Sequence, residues 1–158
     1  MARFLLSQQQ EKCAPAQLKT IMEKVLIVED DQTIAKALAF RLKSAGYEVI
    51  VTHDAVAGVA AAREFQPDLA LLDISIPAGD GFSVAERVRE LIITATPIIF
   101  LTASKQSGLR QKAQELGAAF FEKPYDADDL LAAIRYALLE RSGRRVRGLH
   151  DATLSRLS

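Results

Sequence analysis

Val25-Leu26-Ile27-Val28-Glu29-Asp30-Asp31 is an apolar run of β-branched and branched-chain residues that stops abruptly on three carboxylates. Two further runs end the same way, on one polar residue each: Leu69-Ala70-Leu71-Leu72-Asp73 and Ile98-Ile99-Phe100-Leu101-Thr102. A fourth, Phe120-Phe121-Glu122-Lys123-Pro124, repeats the pattern with a lysine. If these runs are parallel strands of one sheet, their carboxylates, hydroxyl and ammonium converge at a single edge. Such an edge is suited to a metal ion and a phosphoryl group.

The intervening segments have helical periodicity. Short apolar runs at 24–29, 47–52, 68–72, 97–101 and 118–122 alternate with longer stretches. In the first stretch, Ile34, Leu38 and Leu42 recur at four-residue spacing, and Gly46 predicts the stop. Val56, Val59, Ala60 and Arg63 are the expected face of the second, which Pro67 closes. Phe82, Ala85, Val88 and Leu91 form the face of the third, with Pro97 after it. The fourth is expected over about 105–116, ending at Gly117. Asp126 opens the fifth, which uses Leu130, Ile134 and Leu138 and is expected to end before Gly143. Five β/α units whose central strands are continuously apolar predict an α/β fold with a sheet covered on both faces. Right-handed crossovers then give a flavodoxin-like, doubly wound, five-stranded parallel sheet of order 2-1-3-4-5. In that order the crevice lies at the carboxyl ends of strands 1 and 3, where Glu29, Asp30 and Asp73 fall.

Bulk properties narrow the class. A chain of 158 residues, 49% hydrophobic and 25% charged, has the make-up of one globular domain with short appendages. Its formal charge of zero hides an asymmetry, because residues 141–158 hold five arginines against Asp151 alone. The expected organisation is an N-terminal extension (1–23), a domain (24–141) and a basic tail (142–158) without evident periodicity. Leu18, Ile21 and Met22 allow a short helix in the extension. Cys13 is the sole cysteine, which excludes an internal disulfide or a zinc site and fits a reducing compartment. No apolar run approaches the ~20 residues that span a bilayer. The expected localisation is cytoplasmic, without a membrane partner.

Two unit charges ~4 Å apart repel by roughly 4 kcal/mol at an effective dielectric near 20. The cluster of Glu29, Asp30 and Asp73 therefore calls for a cation or raised pKa values. Mg²⁺ suits it, since it takes one or two carboxylates, keeps waters and accepts phosphate oxygens. Each element also has a plainer reading. Glu-Asp-Asp after a strand fits a helix N-terminus, Asp73 and Lys123-Pro124 fit turns, and Thr102 fits a helix N-cap. All four at strand ends, in the right order, favour the shared site.

From Lys24 to Arg141 the chain resembles the response-regulator receiver domains of two-component signalling. The resemblance rests on Val28-Glu29-Asp30-Asp31, on Asp73-Ile74-Ser75-Ile76-Pro77-Ala78-Gly79-Asp80-Gly81, on Leu101-Thr102-Ala103 and on Glu122-Lys123-Pro124. It implies that Asp73 is the phosphoacceptor and that Asp30, Glu29 through a water, Asp73 and the Ser75 carbonyl hold Mg²⁺. Thr102 and Lys123 would contact the phosphoryl oxygens, and the Lys123–Pro124 bond would be cis. Phe120 falls at the family's switch aromatic, with Phe121 the competitor. The resemblance further implies a sensor histidine kinase or histidine phosphotransfer protein as donor. Output would run through a downstream protein docking on the face of the fourth helix, fifth strand and fifth helix, or through a phosphorylation-dependent homodimer there. It implies a stand-alone switch that catalyses only its own phosphorylation and dephosphorylation. The alternative is the receiver portion of a DNA-binding transcriptional regulator or a larger multidomain regulator. A metal-dependent phosphohydrolase would want a second carboxylate two residues after Asp73, where Ser75 stands. Five tail arginines without a folded reader could contact nucleic acid only through phosphates, so no specific nucleic-acid binding is expected.

Overall fold

The computed structural model describes residues 21–92 and 95–154. Five strands, β1 (Lys24–Val28), β2 (Glu48–Thr52), β3 (Leu69–Asp73), β4 (Ile98–Thr102) and β5 (Ala119–Glu122), form one parallel sheet of order β2-β1-β3-β4-β5. Helices α1 (Gln32–Ser44), α2 (Ala55–Phe65), α3 (Gly81–Leu91), α4 (Leu109–Glu115) and α5 (Ala127–Leu154) alternate with them. This is the flavodoxin-like doubly wound order expected from the β/α pattern. Asp73 and Thr102 are themselves the last residues of β3 and β4, and Glu29 and Lys123 directly follow β1 and β5.

The sheet has a core on each side because strand side chains alternate between faces. Leu26, Val28, Leu72 and Phe100 point toward α2, α3 and α4. Val25, Ile27, Leu71 and Leu101 point toward α1 and α5, where they meet Leu38, Leu42, Leu130 and Ile134. Strands β1, β3 and β4 lie inside the sheet. Every residue of β3 and β4 is buried, which explains their unbroken apolar runs.

Helix starts use short polar side chains. Asp31 accepts hydrogen bonds from the Thr33 and Ile34 amides, Asp54 from Ala57 and Asp80 from Ser83. Asp126 does the same for α5, accepting from Asp128 and Asp129.

Three expectations need correction. The buried face of α2 is Ala55, Gly58 and Ala62, while Val56 is 68% exposed. Close approach selects small residues there: a Cβ on Gly58 would sit 2.9 Å from Val28 Cγ2. Helix α4 is shorter than 105–116, because residues 103–106 run on as a loop and Gly108 enters the helix in the left-handed region, φ 85°. Helix α5 does not end before Gly143 but continues to Leu154, through the segment read as an aperiodic tail. An interior glycine costs ~1 kcal/mol against alanine but does not by itself end a helix. Arg141, two residues earlier, pairs with Asp68, the residue directly before β3. Of the short helix expected near Leu18, only Ile21 and Met22 are described, and neither is helical; Leu18 and Cys13 lie outside the described residues.

Candidate functional site

The sheet register builds the site. Val28 pairs with Leu72, Asp73 with Leu101, and Thr102 with Glu122. The residues that follow β1 and β5 therefore arrive beside the ends of β3 and β4. Each side chain comes from a different strand end, so the fold itself places groups 94 residues apart, Glu29 and Lys123, in contact.

Lys123 is the centre of the cluster. Its Nζ donates to Asp73 Oδ2 at 2.7 Å and to Glu29 Oε2 at 2.5 Å. Asp73 Oδ1 accepts the Ser75 amide hydrogen at 3.0 Å, and Glu29 Oε1 accepts that of Asp31 at 3.2 Å. Glu29 is 1% exposed and Asp73 5%. Asp30 is exposed and turns a carboxylate oxygen to the same spot: one oxygen each from Glu29, Asp30 and Asp73 lies within 4.8 Å of the others. Three carboxylates face one ammonium, which leaves room in the charge balance for a divalent cation. The oxygen-only donor set suits a hard cation such as Mg²⁺.

Burial and charge act on the titrations in opposite senses. Burial pushes the Glu29 carboxyl up, Lys123 pulls it down, and neighbouring Asp73 pushes it up again, leaving it above the ordinary carboxylate value. For Lys123, burial works against the ammonium, but its hydrogen bonds to Asp73 and Glu29 and their charges outweigh burial and raise it. Lys123 thus keeps its proton throughout the neutral range.

Thr102 is fully buried, and its hydroxyl oxygen accepts the Ser104 amide hydrogen at 3.0 Å. The Lys123 amide donates to the Thr102 carbonyl at 2.8 Å, and the Lys123–Pro124 bond is cis. Phe120 and Phe121 point to opposite faces of β5. Phe120 packs with the α2–α4 core beneath the Arg110 guanidinium, 4.8 Å from its ring centroid. Phe121 packs with the α1/α5 core, 6.4 Å from Tyr125. The face bearing α4 is thus served by Phe120.

Two further residues shape the site. His53 Nδ1 lies 2.8 Å from the Glu29 carbonyl oxygen, tying the β2–α2 loop to the site. Gly81 lies so close beneath β3 that a Cβ would sit 2.4 Å from the Asp73 carbonyl oxygen and 3.0 Å from Ile74 Cα. Both obstacles are backbone. Gly81→Ala is therefore expected to destabilise the fold by about 3 kcal/mol, read as a lowered denaturant midpoint at unchanged slope. Gly81 closes the motif that begins at Asp73, and the packing of the α3 start against β3 shows why glycine stands there.

Residues 25–135 match the family model described as the response regulator receiver domain. The chain belongs to the response-regulator receiver domain family. The receiver domain is 38% identical over 125 residues to the DNA-binding dual master transcriptional regulator RpaA of Synechocystis, spanning 78% of this chain and 52% of that protein. It is 42% identical over 113 residues to the transcriptional regulatory protein DltR of Streptococcus agalactiae, covering 71% and 50%. The chain thus spans about half the length of these curated relatives. Among solved structures, a CheY-like receiver domain from Methanospirillum hungatei superposes with a TM-score of 0.73 at 29% identity, over 78% of this chain and 98% of that one. The activated receiver domain of Klebsiella pneumoniae RstA gives 0.67 at 28% identity, over 73% and 98%. Among the described residues, no helix is long and apolar enough to cross a membrane.

Proposed function

We propose that this receiver domain is a phosphorylation-activated switch whose phosphoacceptor is Asp73. The observation that carries the reading is the bridge from Lys123 to both Asp73 and Glu29 inside a three-carboxylate cluster. In the transfer, an Asp73 carboxylate oxygen attacks phosphorus, the donor's phosphorus–nitrogen bond breaks, and the donor imidazole leaves with that electron pair. A histidine kinase or histidine phosphotransfer protein is the donor class, and the receiver acts on no substrate but itself. The Ser75 amide and the Lys123 ammonium hold the carboxylate from two sides. Lys123 also neutralises the negative charge that gathers on the phosphoryl oxygens. Glu29, Asp30, Asp73 and the Ser75 carbonyl are the groups that would hold Mg²⁺, which supplies charge neutralisation and alignment when bound. Thr102, at the end of β4, offers its hydroxyl to the phosphoryl group, and Phe120 responds on the α4 side. The output is a remodelled α4–β5–α5 face that docks another protein or a second copy. We assign this switch to residues 24–141, a boundary that falls within the continuous α5, and place it in the cytoplasm.

The test is Mg²⁺-dependent phosphorylation by acetyl phosphate across pH. Because the folded-state pKa of Glu29 is raised, protons compete with the cation in a window beginning at 4.5 and extending upward. Mg²⁺ affinity should therefore rise with pH through that window and then level off. Phosphorylation that persists in excess chelator would contradict the reading.

The length of the curated relatives favours a second reading, in which this is the receiver half of a longer DNA-binding regulator. Intact mass of the native protein separates the two.

A further inference from the structure

Helix α4 is held to the domain by little. It spans seven residues, has no side-chain N-cap and buries only Ala113 fully, with Leu109 and Leu116 partly buried. A helix this short is not stable by itself, and weakly held elements are those that move in switching. Its first turn is tied down by charge instead. Glu122, the last residue of β5, accepts from Arg110 of α4 through Oε1 and from Lys105 of the β4–α4 loop through Oε2, both at 3.3 Å. The same Arg110 covers the Phe120 ring. Glu122 also stands opposite Thr102 in the β4/β5 register and directly before Lys123. One carboxylate therefore links the end of β5 to the β4–α4 loop and to α4 and, through Arg110, to the Phe120 ring.

We propose that Glu122 is a positioning residue for the switch: its carboxylate holds Arg110 over Phe120 and Lys105 beside β5, and so stabilises the resting arrangement of α4. The proposal rests on the reading of Thr102 and Phe120 as the switch pair. All three charged side chains are roughly half-exposed or more, so each pair alone is worth no more than about fivefold in an equilibrium constant. Two pairs and a cation over a ring acting together set a bias that phosphorylation can overcome. Releasing them raises the population competent for activation, and apparent affinity for an activating ligand rises in proportion.

Beryllofluoride with Mg²⁺, titrated against the full chain, reads this population. Glu122→Gln is expected to tighten binding about three- to tenfold. Removing a negative charge near an anion site would do the same by simple electrostatics, so Arg110→Gln decides. Loss of a positive charge weakens anion binding on electrostatic grounds, whereas loss of the tie strengthens it. The proposal requires Arg110→Gln to tighten binding as well, and the double variant to gain less than the product of the two. A merely structural defect would lower affinity in both. Unchanged or weaker binding by Arg110→Gln, with wild type still binding, overturns the role of Glu122 and leaves the switch reading intact. Failure of wild type to bind, or equal binding by Asp73→Asn, overturns both.

Discussion

Asp73→Asn is expected to abolish phosphorylation by acetyl phosphate and any response to beryllofluoride, while leaving the domain at least as stable as wild type. An amide oxygen is a poor nucleophile, and it cannot carry the charge that a cation and Lys123 are arranged around. The fold tolerates the change for reasons visible at the site. The Ser75 amide and Lys123 Nζ each donate to Asp73, and an amide oxygen can still accept one of these bonds. Lys123 keeps Glu29 as its ionised partner. One of three mutually repelling carboxylates is meanwhile removed. Thermal unfolding of the variant checks the stability arm, and incubation with the phosphodonor checks the activity arm.

Lys123→Met is expected to damage both. Its side chain is 12% exposed, and among the described residues its ammonium is the counter-charge that bridges Glu29 and Asp73. Deleting one partner of a buried pair leaves an uncompensated charge and typically costs about 3–5 kcal/mol. Here two carboxylates are left facing each other. Excess Mg²⁺ should return part of that stability, since a cation can take over the neutralisation. It should not return the rate: loss of one positively charged donor to a transferring group costs on the order of 10²–10³-fold. The two substitutions thus separate chemistry from folding. Loss of activity at intact stability marks the nucleophile, whereas loss of both, with Mg²⁺ repairing only the second, marks the counter-ion. Denaturant unfolding with and without Mg²⁺, beside phosphorylation rates, reads this difference. Alkaline titration gives a consistency check. The raised pKa of Lys123 means that its stabilising contribution is complete below 10.5 and is lost only as pH climbs above that value.

The strand order and the position of each polar strand end are legible in the chain because their cause is local. A buried parallel strand must be apolar throughout, so the first polar residue after Leu72 or Val28 marks where the chain leaves the core. Features that depend on packing between elements are not legible in that way. Val56 looks like a core residue of α2 on periodicity, yet the helix is drawn in on Ala55, Gly58 and Ala62 because Val28 leaves no room for more. Gly143 looks like a stop, but α5 passes through it, anchored two residues earlier by Arg141 on Asp68. Gly108 had no periodic signal that could shorten α4. At the site, the convergence of Glu29, Asp73 and Lys123 follows from strand order. The partners of their individual oxygens, and the hold of His53 on the Glu29 carbonyl, depend on loop conformations that no pattern of residue types encodes.

Asp73 is expected to accept a phosphoryl group. Reductive trapping addresses it most directly: the protein is treated with acetyl phosphate and Mg²⁺, borohydride converts any acyl phosphate to the corresponding alcohol, and peptide mass spectrometry locates it. A single Mg²⁺-dependent modification at Asp73, absent from Asp73→Asn, is expected. Modification at Glu29 or Asp30 instead, or none at Asp73 under conditions that phosphorylate a control receiver, would contradict it.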